Sequence, residues 1–215
     1  GIVITHAHED HYGALLALYP RLSKDGSLPV YMTPFAASML ESKAQGERDA
    51  DMVPVKEFAA GSKFSLEPFE VEAVNVTHSI PEPVSLAIRT PLGTVLHTGD
   101  WKNDPDPAMG DLTDEQAFRK LGDEGVLALI CDSTNAMREG TSPSEVEVSK
   151  GLEEVISKAT GRVAVTTFSS IVGRIRSIAL AAQAAGRRTL LLGRSMKRVV
   201  DVASELGYMD DIDDF

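Results

Sequence analysis

Thr5-His6-Ala7-His8-Glu9-Asp10-His11 gathers three of the chain's five histidines and an aspartate within six positions. The run before it, Gly1-Ile2-Val3-Ile4, is short and apolar, as a buried strand is. On an extended continuation of that strand His6 and His8 lie two residues apart and project to the same side, so their imidazoles converge. Asp10 and His11 follow directly. Gly13-Ala14-Leu15-Leu16-Ala17-Leu18 reads as the start of a packed helix that holds this second pair beside the first. Imidazole nitrogens with one carboxylate are the donor mix expected for zinc, and manganese enters where carboxylates bridge. Three unrelated loop histidines are the plain alternative, and their crowding counts against it.

The stretch His6-Ala7-His8-Glu9-Asp10-His11 resembles the His-x-His-x-Asp-His signature of the metallo-β-lactamase superfamily. Its members hold one or two metals at the edge of an αββα sandwich. The signature implies a fold and a metal site but no substrate, since lactamases, thioester hydrolases and nucleases share it.

The rest of the composition sets bounds. A chain of 215 residues, 43% hydrophobic and 25% charged, has the make-up of an ordinary globular protein, with room for one large domain or two small ones. No apolar run approaches the ~20 residues of a membrane span, and the start has neither a basic segment nor a cleavage site, so a cytoplasmic protein is expected. Cys131 has no internal disulfide partner and follows the apolar run Val126 to Ile130, which points to a buried, inert thiol. A formal net charge of -11 lacks the basic footprint of a nucleic-acid binder. Bound dications reverse the local sign at a metal site, however, and Asp210, Asp211, Asp213 and Asp214 concentrate acid at the far end. Gly1 opens inside a strand-like run without an initiator Met, so a piece of a longer polypeptide is expected.

Downstream of the histidines, Pro29 to Met32 is a short strand, and Thr33 offers an N-cap with Pro34 at the first helical position. Residues 45 to 51 read as a polar surface connection. The alternation from Phe69 to Val76 marks a half-exposed strand that delivers His78 at its end, ahead of the stiff loop Ile80-Pro81-Glu82-Pro83. Ser85 to Thr90 and Thr94 to Thr98 flank the turn Pro91-Leu92-Gly93 as a hairpin, which ends in Gly99-Asp100. His97, inside that strand, reads as a supporting residue. Asp114 to Leu121 is a helix and Val126 to Cys131 a buried strand, which opens into a polar loop at Asp132. Ser142, Pro143 and Glu145 read as N-cap, N1 and N3 of a capping box. From Gly161 two strand-helix units follow: strand 162–167, helix 171–185, strand 188–192 and helix 196–206. They suggest a parallel sheet in a second domain. Both strand-to-helix turns carry hydroxyls, Thr167-Phe168-Ser169-Ser170 and Gly193-Arg194-Ser195, and either serves as a helix cap or as a phosphate site.

The blocks Cys131-Asp132-Ser133-Thr134-Asn135-Ala136, Thr167-Phe168-Ser169-Ser170 and Gly193-Arg194-Ser195-Met196, with Gly99-Asp100-Trp101-Lys102, resemble the β-CASP nucleases and, among them, the ribonuclease J family. The resemblance implies an α/β fold: a partial metallo-β-lactamase αββα sandwich over residues 1–145 and part of an α/β β-CASP domain over 146–215. It implies two divalent cations, zinc first with manganese or magnesium as alternatives. His6, His8 and His78 would hold one, Asp10 and His11 the other, with Asp100 between them. Asp10, Asp100 and Asp132 would take part in catalysis, and Thr167, Ser169, Ser170, Arg194 and Ser195 would contact phosphate. The implied substrate is single-stranded, 5′-monophosphorylated RNA, cut by exonuclease or endonuclease action, and the full-length protein would be a homo-oligomer. The family's last metal-binding histidine and its later β-CASP motifs have no counterpart, since no histidine follows His97. Competing readings are a thioester hydrolase of the glyoxalase II type, which shares the opening motif, and a DNA-directed β-CASP repair nuclease.

Overall fold

A computed structural model describes residues 1–45, 53–213 and 215. The polar connection expected over 45–51 therefore lies, beyond Gln45, outside the described residues. Three short strands, β1 (Ile2–Val3), β2 (Val30–Met32) and β3 (Val55–Glu57), pair in parallel in the order β1-β2-β3. Five more form a second sheet in sequence order: β4 (Lys63–Leu66), β5 (Phe69–Asn75), β6 (Val84–Thr90), β7 (Gly93–His97) and β8 (Val126–Ile130). Its pairs are antiparallel up to β7, and β8 joins β7 in parallel.

The helices are α1 (Glu9–Tyr12), α2 (Leu15–Leu22), α3 (Pro34–Ala44), α4 (Glu115–Glu124), α5 (Glu145–Lys158), α6 (Val172–Ala184) and α7 (Arg194–Glu205). Three apolar clusters define the layers. Val30 and Met32 of β2 pack with Leu16 of α2, Phe35 of α3, Val172 of α6 and Val199 of α7 in one continuous core. Between the sheets lie Phe58, Val71, Ala73, Val84 and Leu86, against Val3, Tyr31 and Phe64. On the far side of the second sheet Val74, Ala87 and Leu96 meet Leu121 of α4. Helix, sheet, sheet, helix is the order, because each sheet is apolar on both faces and each helix contributes one apolar stripe. None of the described helices is long and apolar enough to cross a membrane.

Four local expectations are corrected. Asp10 and His11 do not precede a helix but lie within one: α1 starts at Glu9, with His8 still extended at φ -76°, ψ 143° as its N-cap. The capping box sits two residues later than expected. Ser144 Oγ accepts from Glu147 N at 3.1 Å, and Glu147 Oε2 accepts from Ser144 N at 2.9 Å. Ser142 and Glu145 offer the same spacing, but Glu145 is engaged by Arg174 instead. β8 is an edge strand rather than a buried one: Leu127, Leu129 and Ile130 are more than half exposed, and Cys131 is exposed. Residues 162–167 and 188–192 form no ladder among the described residues, so Val163, Val165, Leu190 and Leu192 face outward and the expected parallel sheet is absent there. A strand is stable only when a neighbour takes up its backbone groups, which an apolar sequence alone does not supply.

Thr33 is the N-cap of α3, as expected, with Pro34 next, but its side chain makes no cap bond and its buried hydroxyl has no partner among the described residues. Glu82 takes the role from a distance, accepting from Phe35 N at 2.7 Å and from the Tyr208 hydroxyl at 2.8 Å.

Candidate metal centre

Four segment ends meet at one edge of the sandwich. Beyond β1 the chain stays extended and is pinned from both sides, with Ile4 N donating to Tyr31 O at 2.8 Å and Val84 N to Thr5 O at 3.0 Å. That second bond ties the histidine segment to the start of β6. His6 is wholly buried. Thr5 Oγ1 lies 3.1 Å from its Nδ1, which leaves Nε2 to face the cluster. His6 Nε2 is 3.1 Å from His8 Nδ1, as expected for residues two apart on extended backbone, and His78 Nε2 approaches the same His8 atom at 3.0 Å.

Asp100 follows the β6-β7 hairpin through Gly99. With φ at +59°, a side chain there would be strained, and an added Cβ would lie 3.0 Å from Val84 O and 3.2 Å from the Thr5 side chain. Glycine therefore lets the turn close against the histidine segment. His97 supports it, its Nδ1 accepting from Gly99 N at 3.0 Å. The two Asp100 oxygens then divide. Oδ2 lies 3.9 Å from Nε2 of both His6 and His78, whereas Oδ1 lies 3.4 Å from His11 Nε2. His11 Nε2 is also 3.6 Å from Asp10 Oδ2. The donors thus fall into two groups that share one carboxylate: His6, His8, His78 and Asp100, and Asp10, His11 and Asp100, each with its donor atoms within 4.8 Å of one another.

Burial disfavours the charged form of His6, His8 and His78. His6 is driven down to about 2 by desolvation and by His11, His8 and His78 beside it. His78 falls to about 4, again through desolvation first and His8 second. His8 is lowered by burial as well, against Asp10, Asp100 and a backbone hydrogen bond to Ser170. Neutral imidazole is the ligand form. Tetrahedral ligands at ~2.05 Å from zinc would stand about 3.3 Å apart, and the 3.0 and 3.1 Å separations here need only a slight spread. The donor set fits a divalent cation in the first group and, with one nitrogen and two carboxylates, a more open one in the second.

Asp132 does not join the donors. It sits where β8 ends, its NH donating to Thr98 Oγ1 at 3.0 Å and its Oδ1 accepting from Thr134 N at 2.8 Å and Thr134 Oγ1 at 2.6 Å. Burial pushes its carboxyl up, but the Thr134 and Trp101 hydrogen bonds and the nearby His78 bring it below the usual range. With His78, Asp100, Trp101 and Asn135 it lines a cleft of about 770 Å³. Of the hydroxyl turns, 167–170 holds Ser170, half-buried, and Thr167, whose Oγ1 is buried without a partner among the described residues. Ser169 is half-buried beside them. Arg194 and Ser195 open α7 and are exposed.

The sequence reading missed several supporting groups. Thr5 on His6 and Ser79, 3.4 Å from His8 Nε2, adjoin ligand candidates and were open to inspection. Lys102, Asp104, Glu145 and Arg174 were not, because their association depends on contacts across 29 to 43 residues.

Residues 1–126 match the family model for the β-lactamase superfamily domain, and residues 160–215 the model for the ribonuclease J β-CASP domain. The chain is 60% identical over 214 residues to ribonuclease J of Sinorhizobium meliloti, covering 100% of this chain and 37% of that one. This chain belongs to the β-lactamase superfamily. Ribonuclease J of Thermus thermophilus is 41% identical, with 96% of this chain and 37% of the relative covered; that of Mycolicibacterium smegmatis is 44% identical, with 99% and 38%. The chain thus spans under two fifths of the length of these ribonuclease J relatives. A crystal structure of a protein of unknown function from Enterococcus faecalis V583 superposes with a TM-score of 0.65 at 18% identity, covering 94% of this chain and 48% of that one; it shares the fold.

Proposed function

We propose that this chain carries the metal centre of a ribonuclease that hydrolyses RNA phosphodiester bonds, as a 5′ exonuclease, an endonuclease or both. The observation that carries the reading is the division of the Asp100 carboxylate between two donor groups. The names of the relatives support RNA as the substrate. His6, His8 and His78 would hold one cation and Asp10 and His11 the other, with Asp100 common to both donor groups, zinc being favoured by the nitrogen-rich first group and manganese or magnesium admissible in the second. When bound, such a pair supplies a Lewis acid for the phosphoryl oxygens and lowers the pKa of an attacking water.

The chain's own groups do the rest. Thr5 fixes the ring of His6 so that Nε2 faces inward, and Asp132, charged and held by Thr134, sets the electrostatic environment of His78 from the cleft side. Asp10 and Asp100 would hold the cations and orient the attacking oxygen toward a phosphodiester lying in the cleft. Thr167, Ser169 and Ser170 offer hydroxyl and backbone donors to a phosphate there, and Arg194 and Ser195 extend that surface at the start of α7. The metal-binding part is taken to run over 1–145 and the β-CASP part over 146–215, a division that the two matched regions support. Single-stranded RNA with a 5′ monophosphate, a cytoplasmic location and a homo-oligomer for the longer protein complete the proposal.

The test is zinc content and cleavage of 5′-monophosphorylated RNA by the wild-type chain and by Asp132→Asn. Metal-dependent cleavage, lost in the variant by ~10-fold or more while its melting temperature holds, supports the reading. Release of thiol from an acylglutathione, or a preference for DNA ends over RNA, would replace it.

A further inference from the structure

A line of charged side chains runs from the turns that carry His78 and Asp100 to the first turn of α6. Thr77 precedes His78. Its hydroxyl donates to the Lys102 carbonyl and accepts from Asp104 N at 3.1 Å, and its carbonyl accepts from Lys102 N at 2.8 Å. The backbone just past Asp100 is thereby stitched to the residue before His78. From this stitch Lys102 Nζ donates to Pro143 O at 2.8 Å and lies 3.2 Å from Asp104 Oδ2, which accepts from Glu145 N at 2.9 Å. Glu145 in turn receives Arg174 Nη2 on both carboxylate oxygens, at 2.9 and 3.1 Å.

Arg174 lies in the first turn of α6, where its N donates to Ile171 O at 3.1 Å. The turn it anchors closes on itself, with Ile171 N donating to Phe168 O at 3.2 Å. The line therefore runs from the neighbour of one ligand candidate to the first turn of α6. Its two cations and two anions balance, so it adds no net charge beside the metal centre.

We infer that Arg174 and Glu145 are positioning residues of the metal centre. Their pair sets, through Asp104 and Lys102, how the Asp100 loop sits against His78. The inference rests on the metal centre proposed above. A merely structural salt bridge at this place would change stability and leave the ligand field alone.

Cobalt(II) distinguishes the two. The wild-type chain, Glu145→Gln and Arg174→Lys are titrated with Co2+ against a chelator, and their visible absorption and their kcat and KM on RNA are recorded. Asp211→Asn serves as control, because it breaks the Arg176 pair that ties the same helix to the far end of the chain, away from the ligands. Glu145→Gln and Arg174→Lys are expected to weaken Co2+ binding about tenfold and shift its visible bands, while Asp211→Asn leaves both unchanged whatever it does to melting. If Glu145→Gln melts too low to assay, Arg174→Lys, which keeps the charge and the stem but not the fork, carries the test. Wild-type affinity and unshifted bands in the folded variants would overturn the inference. Co2+ bound by the wild type and weakened in the variants, without RNA cleavage, would uphold it and sink the proposed activity; a wild type that binds no Co2+ would sink both.

Discussion

Replacing His11 by alanine separates the two donor groups more cleanly than any other single change. His6 is wholly buried and held by Thr5, so its loss would open a cavity and confuse metal loss with unfolding. The His11 side chain is 27% exposed and faces the carboxylates of Asp10 and Asp100, so the metal-free variant should be as stable as wild type to within about 0.5 kcal/mol. With the metal the outcome differs. The second group loses its one nitrogen and keeps two carboxylates, while the first keeps all four donors. A loss of about 100-fold in the second cation's affinity would remove about 2.7 kcal/mol of linked stabilisation at saturating zinc. At about 2–4 °C per kcal/mol for a chain of this size, the zinc-dependent gain in melting temperature should shrink by roughly 5–11 °C. Metal analysis after dialysis, with melting curves in zinc and in chelator, reads both quantities. Two zinc ions per chain at undiminished affinity would refute the division of ligands.

Asp104→Asn should cost about 1.5–3 kcal/mol near neutral pH, because its buried carboxylate accepts from Asp106 N, Glu145 N and Lys102. Burial raises this carboxyl, but those donors outweigh it and hold it below the usual value, so the stabilisation is full above the unfolded pKa of ~3.9 and is lost as pH falls through the depressed folded value. Urea titrations should show the gap between wild type and variant closing below about pH 4, and a gap constant with pH would contradict the assignment. Phe35→Ala, in the core shared by α3 and Tyr208, should cost about 3–5 kcal/mol in the same assay; a change under ~1 kcal/mol would mean that this core does not hold the helices to the first sheet.

How much of this was legible beforehand differs from residue to residue for physical reasons. His6 and His8 were readable because a period of two is local, and strand backbone converts it directly into convergence. His78 and Asp100 were readable as strand ends, where hairpin and turn residues mark the boundary within a few positions. Their meeting was not derivable from those signals: it depends on Val84 N bonding to Thr5 O across the two sheets, and only the family resemblance anticipated it. The capping box slipped by two because Ser142 and Ser144 each stand three residues before a glutamate, and a contact with Arg174 far along the chain decides between them. β8 misled for the opposite reason. Its apolar sequence states that a cover is favoured but not whether one is present, and Leu127, Leu129 and Cys131 lie open among the described residues. Residues 162–167 and 188–192 follow the same rule, since apolar and β-branched content fits a strand but ladder bonds need a neighbour.

Anomalous X-ray scattering at the zinc edge, from crystals of this chain grown with zinc, tests the shared centre most directly. Two peaks about 3.5–4 Å apart are expected, one against His6, His8 and His78, the other against Asp10 and His11, with the Asp100 carboxylate between them. A saturated crystal with no peak at these side chains, or with one peak whose ligands exclude Asp100, would contradict it.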